Sequence, residues 1–265
     1  MKQPDVWHHG LVARDWAEFG TDGGQEATYF RRLIEMSGQP ALDLGCGTGR
    51  LLLPCLQAGL DVDGCDYSQD MLALCESQAN MAGLSPQLYA QPMHELDLPR
   101  RYRTIFACGV VGLGGERQLT MQAMQRCYEH LRPGGIFAFD TAPRWNDPPA
   151  WLSRLPEQRQ ALPEEWPSSG ERKLLSDGSE LELVARTVSV DPLEEVQTRQ
   201  IRARLWRKGE LLKEEIHTQR YEEYGKNELM WVLRQASFSE IQIFGDYSDE
   251  PATADHKVII FVARK

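Results

Sequence analysis

Residues 41–50 read ALDLGCGTGR, an apolar run that ends in an acid and three alternating glycines. Ala41, Leu42 and Leu44 have the pattern of a short buried strand. Gly45, Gly47 and Gly49 let the chain turn tightly with no Cβ between the backbone and a ligand. From Arg50 to Leu60 the apolar residues return at helical spacing, at Leu52, Leu53, Leu56 and Leu60. Strand, glycine loop and helix in that order make a cradle of the nucleotide-binding kind. Glycine is common in any loop, so the pattern taken alone is equally a tight turn that binds nothing.

A second acid separates the two readings. Asp66 closes the next apolar stretch, 21 residues after Gly45. A carboxylate about 20 residues on falls at the tip of the neighbouring strand, where it accepts from ribose hydroxyls. A dinucleotide fingerprint needs G-x-G-x-x-G, whereas here Gly49 is followed by Arg50 and the third close approach to a pyrophosphate is missing. A ligand without phosphates fits better, and a nicotinamide-dependent oxidoreductase is the weaker competitor.

With these residues in place the chain resembles the class I S-adenosylmethionine-dependent methyltransferases. The resemblance runs from the glycine loop through Asp66-Tyr67-Ser68 and Met71-Leu72, MHELDLP at 93–99 and HLRPGG at 130–135. The segments from about 226 to 263 look like the closing helix and strand pair of the same fold. The resemblance implies S-adenosylmethionine as cofactor. Gly45, Cys46, Gly47 and Gly49 would line its methionine part, and Asp43 would hold its ammonium, directly or through water. Asp66 would take the ribose. Tyr67 or Met71 would cover one face of the adenine, with Met93, His94 and Glu95 on the other side. Family members often carry a carboxylate just before the position of Met93. Pro92 stands there in this chain, so Glu95 is the substitute acceptor for the adenine amino group. Cys108 and Gly109 would pass under the sulfonium.

Composition narrows the partners. Acids outnumber bases by 39 to 29, a net charge of −10, and no Lys or Arg run tracks phosphates, so nucleic acid is excluded as the expected partner. The six cysteines lie between Cys46 and Cys127 without a C-x-x-C pair, which suits reduced, buried thiols rather than disulfides or zinc. The N-terminus has no apolar signal core and no stretch is long enough to span a bilayer, so the expected location is the cytoplasm, without membrane or metal.

Along the chain, residues 8–37 predict two helices, and strands and helices then alternate to about residue 140, the pattern of a doubly wound, Rossmann-like seven-stranded sheet. The pattern breaks at Pro143, and six prolines between residues 143 and 168 predict a loop or lid. Asp177-Gly178, Asp191-Pro192 and Lys208-Gly209 then punctuate long strand-like runs, which read as an antiparallel β-hairpin insertion after the fifth strand. The expected division is a core with N-terminal helices at 1–143, the insertion at 144–222 as lid, substrate or dimer region, and the closing helix and strand pair at 223–265.

Methyl transfer is an in-line displacement, so the protein chiefly aligns a nucleophile and excludes water. A base serves only an acceptor that arrives protonated. His8, His9, His94 and His217 could reach the active-site side, with a surface or core role the better reading for each, and His130 falls at a helix end, where a cationic ring would suit the dipole; none is singled out as the catalytic base. NDPPAW at 146–151 invites comparison with an N/D-P-P-aromatic motif of amino-group methyltransferases, but Ala150 occupies the aromatic place and the segment follows the fifth strand rather than the fourth. Trp7, Trp16, Tyr29, Trp145 and Trp151 are the expected walls of an apolar substrate pocket, with ordinary packing as the other reading. The expected activity is methyl transfer to an amine or hydroxyl of a small molecule by a protein that can pair as a homodimer; a non-catalytic cofactor-binding module is the alternative.

Overall fold

Short apolar runs alternating with amphipathic segments resolve into two sheets. The computed structural model describes residues 8–114, 116–142 and 147–265. Helices α1 (Gly10–Phe19) and α2 (Gly24–Ser37) lead into β1 (Ala41–Leu44), α3 (Leu52–Gln57), β2 (Val62–Asp66), α4 (Gln69–Met81) and β3 (Leu88–Ala90). A 3-10 turn (Met93–Glu95) precedes β4 (Tyr102–Ala107), α5 (Arg117–His130) and β5 (Leu131–Thr141). After α6 (Pro148–Leu152) and α7 (Pro156–Gln160) come four strands, β6 (Arg172–Leu174), β7 (Glu180–Asp191), β8 (Val196–Arg207) and β9 (Glu210–Glu222). The chain closes with α8 (Lys226–Gln235), β10 (Ile241–Gly245) and β11 (Ile259–Arg264).

The first sheet has seven strands in the order β10-β11-β5-β4-β1-β2-β3. Its first five strands in sequence run parallel, and β11 enters antiparallel between β5 and β10. Helices cover both faces, so β1, at the centre, is buried at every position. Alternate residues divide between two cores. Leu42 and Leu44 join Met124, Phe137 and Leu233 on the side of α5 and α8, while Ala41, Phe106 and Ala138 join Phe30, Ile34, Leu52 and Cys75 on the other. Phe30 and Ile34 stand one helical turn apart on α2, and the Phe30 ring stacks on Phe106 at 5.1 Å. Removing such a fully buried ring costs about 3–5 kcal/mol.

The second sheet is antiparallel, in the order β6-β7-β8-β9. Leu181, Leu183, Ile201, Ala203 and Leu205 share the face that packs against Leu11 and Val12 of α1. The opposite face carries charge: Glu182 lies 3.5 Å from Arg172 and 3.8 Å from Arg204, and the Trp166 ring sits beside the guanidinium groups of Arg186 and Arg202.

Two expectations change. The proline-rich stretch holds short helices α6 and α7, each with proline in its first turn, where a missing N–H costs nothing. His130 is not a cationic dipole partner. Its Nε2 accepts the Leu98 N–H at 3.0 Å while Nδ1 faces the Arg126 carbonyl at 2.8 Å, and burial lowers its pKa, so the ring is a neutral structural bridge. Among the described residues no helix is long and apolar enough to cross a membrane.

Candidate functional site

In a parallel sheet the loops after the strands share one edge, and ligands settle there. Here that edge opens into a cavity of about 290 Å³ bounded by the loops after β1, β2, β3 and β4, the N-terminal part of α5, and His8 and Trp16 from the N-terminal segment.

The glycine loop forms its floor. Gly45, Gly47 and Gly49 have φ of +80°, +55° and +92°, a region that L side chains avoid. Their surroundings differ. A Cβ on Gly45 would lie 2.5 Å from Val110, and one on Gly49 would strike Cys75 and Leu53 at 2.8 Å. Gly47 meets only Met71 of the cavity wall. Gly45, Cys46 and Gly47 line the cavity, whereas Gly49 lies behind it and packs against α3 and α4.

Two carboxylates stand at adjacent strand ends. Asp43 is 2% exposed, and its Oδ2 finds no hydrogen-bond partner among the described residues. Burial, reinforced by the nearby Asp66 charge and opposed by Arg50, pushes its pKa up to about 8. Asp66 accepts the Gly47 N–H at 2.8 Å on one oxygen and the Ser68 N–H at 2.7 Å on the other. Burial raises its pKa and these two N–H groups pull it back. The cap of α4 is Ser68, whose hydroxyl accepts the Met71 N–H, so Asp66 is not spent on capping.

Tyr67 and Met71 line the wall beyond Asp66, with Gln91, Pro92, Met93 and His94 facing them. Glu95 does not line the cavity; its half-exposed side chain points away, 3.8 Å from His94. Cys108 and Gly109 carry the wall past β4 and on to Gly114. Trp16 reaches the cavity, but Tyr29 is buried in the α2 core against Phe30 and Tyr247, and Trp151 is 55% exposed outside it. Trp7 and Trp145 lie outside the described residues. In the NDPPAW segment, Asp147 accepts the Ala150 N–H and caps α6.

Sequence reasoning missed the residues that hold this wall in place. Asp140, at the end of β5 and 7% exposed, accepts the Gly109 N–H at 2.5 Å, the Cys108 thiol at 3.5 Å and the Tyr247 hydroxyl. Burial and the Asp140 charge raise the pKa of both Cys108 and Tyr247, keeping them protonated as donors. Arg50 binds the Gly23 carbonyl, pairs with Glu26 at 3.6 Å and reaches the Cys108 sulfur at 3.5 Å, tying the glycine loop to α2. His8 was left among several histidines. It lines the cavity, and burial, with His9 beside it, lowers its pKa to about 4.

A buried carboxylate oxygen lacking a donor, next to a glycine floor, fits the ammonium end of S-adenosylmethionine, and Asp66 retains lone pairs for ribose hydroxyls. Comparison with known proteins bears on the cofactor. Residues 41–135 match the family described as a methyltransferase domain. A protein of Geobacillus sp. (strain WCH70), provisionally named a methyltransferase, is 24% identical over 228 residues, covering 84% of this chain and 83% of its own. The ubiquinone biosynthesis O-methyltransferase of Nitrobacter winogradskyi is 32% identical over 114 residues, so the match spans only 42% of that enzyme. Among solved structures, an S-adenosylmethionine-dependent methyltransferase from Clostridium acetobutylicum shares the fold with a TM-score of 0.70 at 19% identity, covering 92% of each chain. A sugar N-methyltransferase from Streptoalloteichus sp. does so with a TM-score of 0.68 at 16% identity, covering 100% of this chain and 98% of that one. Residues 41–135 thus match a methyltransferase domain, and the chain has the fold of the S-adenosylmethionine-dependent methyltransferases.

Proposed function

We propose that the enzyme transfers the methyl group of S-adenosylmethionine to an amine or hydroxyl of a small molecule. The observation that carries this reading is the pair of carboxylates at the ends of β1 and β2, Asp66 part-buried and Asp43 fully buried with an oxygen that has no partner among the described residues. Asp43 would hold the ammonium and Asp66 the ribose hydroxyls, with Tyr67, Met71, Met93 and His94 around the adenine. The cofactor supplies an electrophilic methyl group on a sulfonium. The turn at Cys108–Gly109, fixed by Asp140, sets the wall against which an acceptor is aligned. The largely apolar lining excludes water, which favours in-line attack by a positioned nucleophile. His8 lies on the cavity wall and is neutral at pH 7, so its imidazole can offer an acceptor molecule a hydrogen bond.

The small-molecule class is supported by likeness to the sugar N-methyltransferase and by partial similarity to the ubiquinone enzymes, which between them methylate nitrogen and oxygen. The antiparallel sheet would roof the acceptor, and the part of edge strand β9 before Arg220, beyond its bridge to the loop after β4, would serve for pairing two subunits. Six cysteines outside any disulfide suit a reducing cytoplasm. Calorimetry with S-adenosylmethionine, run beside reduced nicotinamide cofactors, tests the foundation. Micromolar binding of S-adenosylmethionine alone is expected, followed by radiolabelled methyl transfer to a panel of small amines and alcohols. Absence of binding would remove the reading.

A further inference from the structure

The loop after β4, which lines the cofactor cavity up to Gly114, is hydrogen-bonded to the antiparallel sheet behind it. The Glu222 N–H donates to the Gly112 carbonyl at 2.8 Å and the Gly114 N–H to the Arg220 carbonyl at 3.0 Å. Leu113 thereby forms an antiparallel bridge with Tyr221, so the loop after β4 lies along β9 like an added strand. Residues paired across a bridge project to the same face, and Leu113 lines the cavity. Alternation puts Gln219 and His217 on that face with Tyr221, and the register Gln197↔Tyr221 and Arg199↔Gln219 adds two residues of β8. Helix α1 confirms the orientation. Leu11 and Val12 pack on the same face at Leu181 and Ala203, while His8 and Trp16 beside them line the cavity.

Two amides on this face are unusual. Gln197 is 8% and Gln219 6% exposed, and among the described residues the Oε1 of each is buried without a hydrogen-bond donor. Gln200, on the opposite face of the same strand, shows what the sheet does with an ordinary glutamine. Its oxygen accepts from Arg186 at 2.8 Å and its nitrogen donates to Thr218 at 3.3 Å. Buried polar atoms are normally paired, and a glutamine that only packs would be replaced by leucine at no loss. Gln197 and Gln219 are diagonal neighbours across β8 and β9, a separation of about 7–8 Å between backbones, within reach of one small ring.

We propose that Gln197 and Gln219 form the polar half of the acceptor subsite, taking hydrogen bonds from two donors on neighbouring carbons of a small hydroxylated or amino-bearing molecule. This rests on the methyl-transfer reading, and the two can fail separately. The test uses the full chain saturated with S-adenosylhomocysteine, the demethylated cofactor. Glucosamine, trans-2-aminocyclohexanol and cyclohexane-1,2-diol are titrated against cyclohexylamine, which has one donor group. At least one of the first three should bind tenfold or more tighter than cyclohexylamine. The double variant Gln197→Leu/Gln219→Leu should erase that preference, bind the cofactor unchanged, and melt no lower than the parent. Equal binding of all four compounds overturns the proposal. So does a variant that loses several degrees in Tm, because the amides would then be structural. Failure of the cofactor itself to bind removes the underlying reading as well.

Discussion

Three aspartates end three strands of the parallel sheet, and they differ in what the protein gives them. Asp140 on β5 receives three donors from the chain, one each from Gly109, Cys108 and Tyr247. Asp66 on β2 receives two backbone N–H groups, and Asp43 on β1 keeps an oxygen with none among the described residues. A buried carboxylate is costly unless paired. Where the chain supplies the partners, as at Asp140, the acid is scaffold; where it withholds them, the acid is the proposed ligand site. The comparison predicts a graded set of responses.

Asp66→Ala should have the largest effect. Hydrogen bonds to a charged group are worth about 1.5–3 kcal/mol each, so losing both ribose contacts weakens S-adenosylmethionine binding by about a hundredfold or more. Calorimetry reads this directly, and Asp66→Asn, which keeps the shape, should fall between. Unchanged affinity for Asp66→Ala would move Asp66 to the scaffold side of the comparison.

Asp43→Asn comes next and carries a pH signature. The folded pKa of about 8 lies above the ordinary value of 3.8, so the ligand-free protein holds an extra proton between the two. The contribution of Asp43 is therefore fully present at low pH and is lost as pH rises through about 8, which makes the ligand-free enzyme less stable in that direction. Binding an ammonium favours the carboxylate, so cofactor binding at pH 7 should release a proton, measurable by calorimetry in buffers of different ionisation enthalpy. Asp43→Asn should abolish the proton release, flatten the pH dependence of melting, and weaken the cofactor about tenfold through loss of one charged hydrogen bond. Proton release that survives the substitution would assign the shift elsewhere.

The positions of these two acids at adjacent strand ends were legible because their signals are local. A strand, a glycine turn and a carboxylate at fixed spacing need no knowledge of distant contacts. The glycine pattern overreached at Gly49, since close approach to a ligand and close approach to a helix look alike in sequence; only Cys75 and Leu53 above it tell them apart. Glu95 looked equivalent to a carboxylate before Met93, but the 3-10 turn swings it outward. Tyr29 and Trp151 were judged by residue type, and one is core while the other is exposed. Asp140 and Tyr247 stand 107 residues apart, and the pairing of Gln197 with Gln219 depends on strand register. Such contacts exist only once the sheets are built.

Tyr247→Phe probes the scaffold side. It removes one of three donors from Asp140 and leaves the ring's packing on Tyr29 and Phe30 in place. The expected cost is about 1 kcal/mol of stability. The Gly109 turn, freed on one side, should weaken acceptor alignment severalfold in kcat/KM while cofactor affinity changes little. A loss of cofactor affinity as large as that of Asp66→Ala would show that Asp140 is no mere support.

The smallest effect belongs to a fourth aspartate. Asp147 accepts the Ala150 N–H at 3.5 Å, a long contact at the start of a five-residue helix. Loss of an N-cap typically costs ~1 kcal/mol, and the long distance places Asp147→Ala at or below that value. Methyl transfer should be unchanged, because the segment follows β5 and its proline pair serves the first turn of α6. If Asp147→Ala instead lowered kcat by about a hundredfold, equal to roughly 2.7 kcal/mol in the barrier, the N/D-P-P comparison would be restored. Asp147 would then join Asp43 and Asp66 among the acids that the fold leaves for its ligands.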